Sequence, residues 1–180
     1  MIFYAAFLRG INVGGHRKLP MAELRTAMED AGFSAVATYL ASGNLVFAAD
    51  HHDRAALTST IEDLIATNWG YDDVPVVLRT HSELEKAYET SPHRDSGVDP
   101  KWRFLALLSE APSEAAVGNI DLEALNPDVF TIDGDHAHVL LPHGAAKSKL
   151  TTTYLEKHLG VIATMRNHNT IENVLTMFPA

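Results

Sequence analysis

The chain contains no cysteine. That excludes a disulfide scaffold, a thiol nucleophile and a thiolate metal site. Long apolar runs are missing too: the longest are strand-sized, such as Ile2 to Leu8, far short of the ~20 residues that cross a bilayer. The N-terminus shows no basic region followed by an apolar stretch and a small-residue cleavage site, so a cytoplasmic protein without membrane attachment is expected. Familiar nucleotide motifs are absent. No G-x-G-x-x-G occurs, and although Gly10 and Gly15 have P-loop spacing, His16-Arg17 stands where that loop requires Lys-Ser/Thr. Ser42 is not on a nucleophile elbow, because Leu40 occupies the first glycine position of that motif. No acid pair and no Ser/His/Asp set has a defensible spacing, so no catalytic residue, reaction or cofactor is assigned, and enzyme status stays open.

The chain's 180 residues are 46% hydrophobic and 21% charged, close to globular averages. The length suits one large domain or two small packed ones, and a half of ~90 residues would be marginal alone. Net charge is −9, which opposes general nucleic-acid coating. Its distribution is uneven: residues 50–135 hold 18 acids and 6 bases, whereas residues 1–20 and 136–155 hold no acid at all. Anion contact is therefore expected at the two ends of the chain, and the acidic middle serves solubility.

Hydrophobic periodicity gives a coarse element order. Ile2–Leu8 reads as a buried strand, Arg9–Lys18 as a glycine-rich loop, and Met21, Leu24 and Met28 as a helix following Pro20. Strands at Ala35–Leu40 and Leu45–Phe47 flank the turn Ala41-Ser42-Gly43-Asn44, then a helix starts at Asp53 and a strand covers Val74–Arg79. Thr80 and Glu83 are placed as a capping box for a connecting helix. The polar run 93–100 reads as a linker between halves at 1–92 and 101–180. Beyond it the order repeats: a strand at Trp102–Leu108, a helix over Ser113–Leu125, and a hairpin of Val129–Ile132 and Ala137–Leu141 around Asp133-Gly134. A helix at Lys149–Leu159, a short strand at Val161–Met165 and a last helix capped by Asn169 complete it. The expected fold is α+β: two packed ferredoxin-like βαββαβ halves with connecting and C-terminal helices. Only the element order repeats; no close sequence repeat is visible.

Three segments could carry chemistry. In the first, Arg9, Gly10, Asn12, Gly14, Gly15, Arg17 and Lys18 join a strand to a helix. Glycine N–H groups there can converge on an anion beside a helix start, and the basic side chains can add charge-assisted hydrogen bonds; the alternative is a tight turn that needs glycine for its backbone. In the second, Ser42 and Asn44 bring a hydroxyl and an amide to the rim, or simply make a hairpin turn. In the third, Lys147 and the pair Arg166-Asn167 lie at predicted helix starts, where capping and solvated surface are the alternatives. His136 and His138 share a strand face, but no carboxylate has a spacing that closes a metal set, so no metal is expected.

The run from Tyr4 to Met21, YAAFLRGINVGGHRKLPM, resembles the opening signature of the domain-of-unknown-function family number 1697. Tyr39–Phe47 and Thr164–Ile171 resemble its second and last signatures. The resemblance implies a bacterial-type soluble protein with a duplicated ferredoxin-like fold and no established activity. The family pattern has Trp where this chain has His168. The signatures fall on the segments picked from the residues alone, so one site is expected. Three readings follow, in this order: a binder of a small phosphorylated or anionic, nucleotide-like ligand; a nucleic-acid-binding protein; and a structural or interaction module without ligand. A homodimer is a further expectation, by analogy with other ferredoxin-like folds.

Overall fold

The computed structural model describes residues 1–179. The chain is of mixed α+β type, with two four-stranded antiparallel sheets and several helices. Its internal contacts divide it into two units: Met1–Leu84 together with the residues from Asn173 on, and Glu85–Glu172. The division falls inside two helices, not at 93–100.

In the first unit the elements are β1 (Ile2–Leu8), α1 (Met21–Asp30), β2 (Ser34–Tyr39), β3 (Asn44–Ala49), α2 (Arg54–Trp69) and β4 (Val76–Thr80), followed by α3 (His81–Glu89), which runs into the second unit. The sheet order is β2-β3-β1-β4. One face of that sheet and the apolar faces of α1 and α2 form a core in which Leu24, Met28, Leu57, Ile61 and Ile65 are buried. Phe47 centres it, edge-on to Phe33 (centroids 5.0 Å apart) and stacked with Tyr4 at 5.8 Å. Asp53 caps α2 by accepting from the Ala56 N–H at 3.0 Å. The capping box of α3 forms as its sequence predicts: Thr80 N–H donates to Glu83 Oε2 at 2.9 Å and Glu83 N–H to Thr80 Oγ1 at 3.4 Å.

The second unit repeats the plan with β5 (Arg103–Leu108), α4 (Glu114–Gly118), β6 (Val129–Asp133), β7 (His136–Leu140), α5 (Thr152–Leu159), β8 (Ala163–Asn167) and α6 (His168–Leu175), in the sheet order β6-β7-β5-β8. Two predicted helices come out differently. The helix expected over Ser113–Leu125 breaks after Gly118-Asn119 and resumes only as a 3-10 turn at Glu123–Leu125, with Asp121 accepting from the Ala124 N–H at 3.1 Å; Gly and Asn are poor helix formers, and Asp121 offers a fresh cap. The last helix begins at His168, and its cap is Asn167, whose Oδ1 accepts from Thr170 N–H at 2.9 Å, not Asn169.

A short repeat becomes visible once the elements are aligned. Arg79-Thr80-His81 closes β4 and opens α3; Arg166-Asn167-His168 closes β8 and opens α6. Each arginine donates to the carbonyl of the residue before it, Leu78 at 2.7 Å and Met165 at 2.9 Å. Each preceding helix also supplies a carboxylate to the last strand: Glu62 to Val76 N–H at 2.9 Å and Glu156 to Ala163 N–H at 3.2 Å.

Gly43 is the tightest point of the first unit. Its φ is +81°, and a Cβ there would stand 2.8 Å from both Leu8 Cβ and Ile11 Cδ1. Gly43→Ala therefore combines a left-handed backbone with overpacking and should cost about 2–4 kcal/mol. Urea unfolding checks this; a cost below about 1 kcal/mol would mean that the turn relaxes freely.

Candidate functional site

In the first unit the structure gathers the predicted residues at one end of the sheet, where the strand ends bring 9–18, 40–44 and 71–75 together. Leu8 N–H donates to Gly43 O at 2.9 Å and Arg9 N–H to Pro75 O at 3.0 Å. Between them 12–17 is a small hairpin, with Asn12 N–H donating to Arg17 O at 3.1 Å and His16 N–H to Val13 O at 3.0 Å. Gly14 and Gly15 form its exposed tip at φ +59° and +79°; the pair supplies the positive φ such a turn demands. The helix start is further on: α1 begins at Met21 behind Pro20, so the glycines do not sit on its N-terminus.

Most of the polar side chains here are committed within the unit. Asn12 donates to Leu19 O at 2.9 Å and Ala41 O at 2.7 Å and accepts from Leu19 N–H at 2.9 Å, tying the two loops. Asn44 is fully buried and donates to Tyr39 O at 2.8 Å and Ser42 Oγ at 3.1 Å. Arg17 pairs with Asp73, and Gly10 leaves the space that its guanidinium needs. Lys18 is exposed. The geometry thus favours the turn-forming alternative for Gly14, Gly15, Ser42 and Asn44.

In the second unit the residues divide. Lys147 sits on a 3-10 turn and lines a cavity of ≈ 370 Å³ with Pro127, His143 and Lys149. Arg166 lies elsewhere, on the sheet. Side chains alternate across a strand, and here the register sorts them by polarity. Ala106, Phe130, Ala137, Val139 and Ala163 enter the core. The other face carries cross-strand rows. Thr131, His138, Leu105 and Arg166 form one, and Asp133, His136, Leu107 and Thr164 the next. Arg103, opposite Leu140, lies on the same face.

This face is electrostatically unusual. Among the described residues, the buried side-chain nitrogens without a hydrogen-bond partner are His93 Nε2, Arg103 Nε, His136 Nε2 and His138 Nδ1. Arg103 Nη1 donates to the carbonyls of His93 at 3.4 Å and Arg94 at 2.6 Å. The Arg94 guanidinium lies over the Tyr88 ring at 5.7 Å, and Tyr88 meets the His168 ring at 5.2 Å. Arg166 donates to Thr164 Oγ1 at 2.8 Å, and burial lowers its pKa to about 10, which leaves it charged. Burial pushes His138 down to about 4, helped by His136 and His93. It does the same to His168, helped by Arg103, His138, His93 and Arg94. His93 is lowered by burial and by Arg103. These imidazoles are neutral at pH 7 because a further charge among the arginines is unfavourable.

Sequence reasoning found Arg166 but missed His93, Arg94 and Arg103, two of which lay in the run read as linker. Arg103 holds His93 and Arg94 beside it through their carbonyls, and only the strand order β6-β7-β5-β8 adds His138 and Arg166 from far along the chain. It also missed Asp133, which the hairpin register sets opposite His136. The two-residue turn is Gly134-Asp135, one position on from the Asp133-Gly134 pair read from the sequence, and that shift is what sets Asp133 opposite His136.

The chain belongs to the family described as "Protein of unknown function (DUF1697)", whose model matches residues 1–138; the stretch at 164–171 lies beyond the matched segment. Among solved structures the chain is similar to the conserved bacterial protein SP0830 from Streptococcus pneumoniae. The TM-score is 0.70 at 23% identity, covering 98% of each chain, a likeness of fold. No curated protein matches the chain. No helix of the described residues is long and apolar enough to cross a membrane.

Because His138 and His168 titrate near 4 when folded and near 6.5 when unfolded, the unfolded chain takes up protons first as pH falls. Stability should be flat above pH ~7 and should fall between ~6.5 and ~4, by up to about 1.4 kcal/mol per pH unit for each histidine. His168→Trp should roughly halve that slope over pH 6.5–5, read from urea unfolding. An unchanged slope would remove His168 from the account.

Proposed function

We propose that the protein binds a small anionic ligand, phosphorylated or nucleotide-like, and that Arg94, Arg103 and the neighbouring histidines of the second unit receive it. One observation carries this reading. Arg103 Nε is buried without a hydrogen-bond partner, and no ion pair to Arg103 occurs among the described residues. Asp99, whose carboxylate feels the Arg103 charge, is engaged by Lys101, whose backbone N–H donates to it at 2.9 Å and whose Nζ stands 3.2 Å away. A buried donor left unpaired costs roughly 1–3 kcal/mol, more when charged. An anion supplies the missing acceptor, and a planar guanidinium is suited to bind phosphate or carboxylate. His93 Nε2, also unpartnered, belongs to the same set. Arg94 is exposed and marks the side from which a ligand enters.

In this reading the glycine-rich loop, with Arg17 already paired, is a brace, and the ligand goes to the second unit. Net charge of −9 disfavours nucleic acid. We also infer that each unit is a ferredoxin-like half. The β-α-β-β-α-β order and the placement of the first strand between the third and fourth support that reading.

Thermal melts of the wild type and of Arg94→Ala, Arg103→Lys and Arg9→Ala test this, with inorganic phosphate, pyrophosphate and nucleotides as ligands and a chelator present throughout. A ligand at ~100 times its dissociation constant adds about 2.7 kcal/mol, or about 5–10 °C. The expected result is a shift in the wild type and in Arg9→Ala that is lost in the two second-unit variants. Loss in Arg9→Ala alone would return the site to the glycine loop; no shift with any anion would overturn the reading.

A further inference from the structure

The polar face of the second sheet holds a second constellation, at the opposite end of β5 from Arg103. Asp133, His136 and His138 each offer a ligand atom, and these atoms all lie within 4.8 Å of one another. The Gly134-Asp135 turn between β6 and β7 creates the arrangement: Asp133 is paired with His136, and His138 follows two residues on, on the same face. Asp133 Oδ2 stands 3.8 Å from His136 Nε2. Tetrahedral zinc ligands stand roughly 3.3 Å apart, as follows from metal–ligand distances of about 2.0–2.1 Å. The set is therefore within one modest rotamer adjustment of that geometry.

Independent of spacing, the chemistry of the two imidazoles points to a missing partner. His136 Nε2 and His138 Nδ1 are both buried with no hydrogen-bond partner, and the His138 side chain is only 2% exposed. Buried imidazole nitrogens are ordinarily satisfied. On the far side of the other ring, Asp135 Oδ1 lies 3.6 Å from His136 Nδ1, the position of an outer carboxylate that orients a metal-bound histidine. Asp133 is exposed, so an ion can enter from solvent and keep a water on its open position. The guanidinium that shares a row with the set is Arg166, two strands across from His138 with Leu105 between them, roughly 10 Å of sheet.

We propose that the β6–β7 hairpin is a binding site for one divalent first-row transition ion, zinc in preference, held by Asp133, His136 and His138. Two nitrogens and one carboxylate oxygen suit zinc and its neighbours and disfavour calcium and magnesium. The site is separate from the anion site proposed above, and neither requires the other.

Titration of the chelator-treated protein with cobalt(II) and zinc(II), in a buffer free of phosphate, tests the proposal. One equivalent of cobalt should bind with a visible absorption band of a low-coordinate site, and zinc should displace it. Asp133→Asn and His136→Gln, both partly or fully exposed positions, should each weaken binding by at least about tenfold. His51→Ala/His52→Ala, which removes the adjacent histidines of an exposed loop, should leave it unchanged, as should Arg94→Ala. Equal affinity in wild type, Asp133→Asn and His136→Gln would overturn the site, as would cobalt binding that disappears only with His51 and His52. The Arg94→Ala result keeps this outcome distinct from any failure of anion binding.

Discussion

Leu105 has two strand neighbours, and on that pairing the second unit's chemistry depends. As part of the strand between β7 and β8 it stands opposite His138 on one side and Arg166 on the other. A one-residue slip of either neighbour would turn its side chains to the other face. Arg166 and His138 would then enter the apolar core, and Met165 and Ala137 would leave it. The hydrophobic core on one face thus fixes, at no further cost, the placement of every polar group on the other. The site is a by-product of the register that folding already enforces.

The first unit shows the opposite use of polar residues. Its glycine-rich loop concentrates Arg, Asn and Gly, which from the sequence has the look of an anion cradle. In the structure Asn12 spends its amide on two neighbouring loops, Asn44 closes its own turn and Arg17 meets Asp73. Buried polar groups must be satisfied, and where the chain supplies the partner no ligand is called for. Where it supplies none, as at Arg103 Nε and the nitrogens of His93, His136 and His138, a buried demand is left unmet, and the proposed sites are those that would answer it. The distinction lies in which partners are already present, and that cannot be read from residue type.

This explains what was legible in the sequence. Periodicity and caps gave the elements, because those signals are local: Thr80 with Glu83, Asp53 with Ala56, and a hairpin turn at Gly134, one residue off the expected position. The order and alternation also indicated the α+β class. Element ends moved by one to three residues, the most at the helix expected from Lys149, which begins at Thr152, and the helix expected over 113–125 broke where Gly118-Asn119 outweighed an apolar pattern. Of the polar face of the second sheet, Arg166, His168 and the pair His136 and His138 were legible in the sequence, and His93, Arg94, Arg103 and Asp133 were not. His93 and Arg94 sit in a polar run whose composition reads as linker, and nothing local separates a solvated charge from one that will be covered.

The repeat Arg79-Thr80-His81 and Arg166-Asn167-His168 carries the argument one step further. Both triplets close a strand and open a helix, and both arginines fold back on the preceding carbonyl. The histidines share a packing role, His81 against Phe178 at 4.7 Å and His168 against Tyr88 at 5.2 Å. His168 lies among Arg103, Arg94, His93 and His138, which together with burial hold it neutral. Two units of the same strand order thus carry the same backbone device, and in the second unit it sits beside a cationic cluster. Shared architecture accounts for the arginine and the histidine of each triplet; it does not account for the cluster, and the cluster is where a function distinct from folding has to be sought.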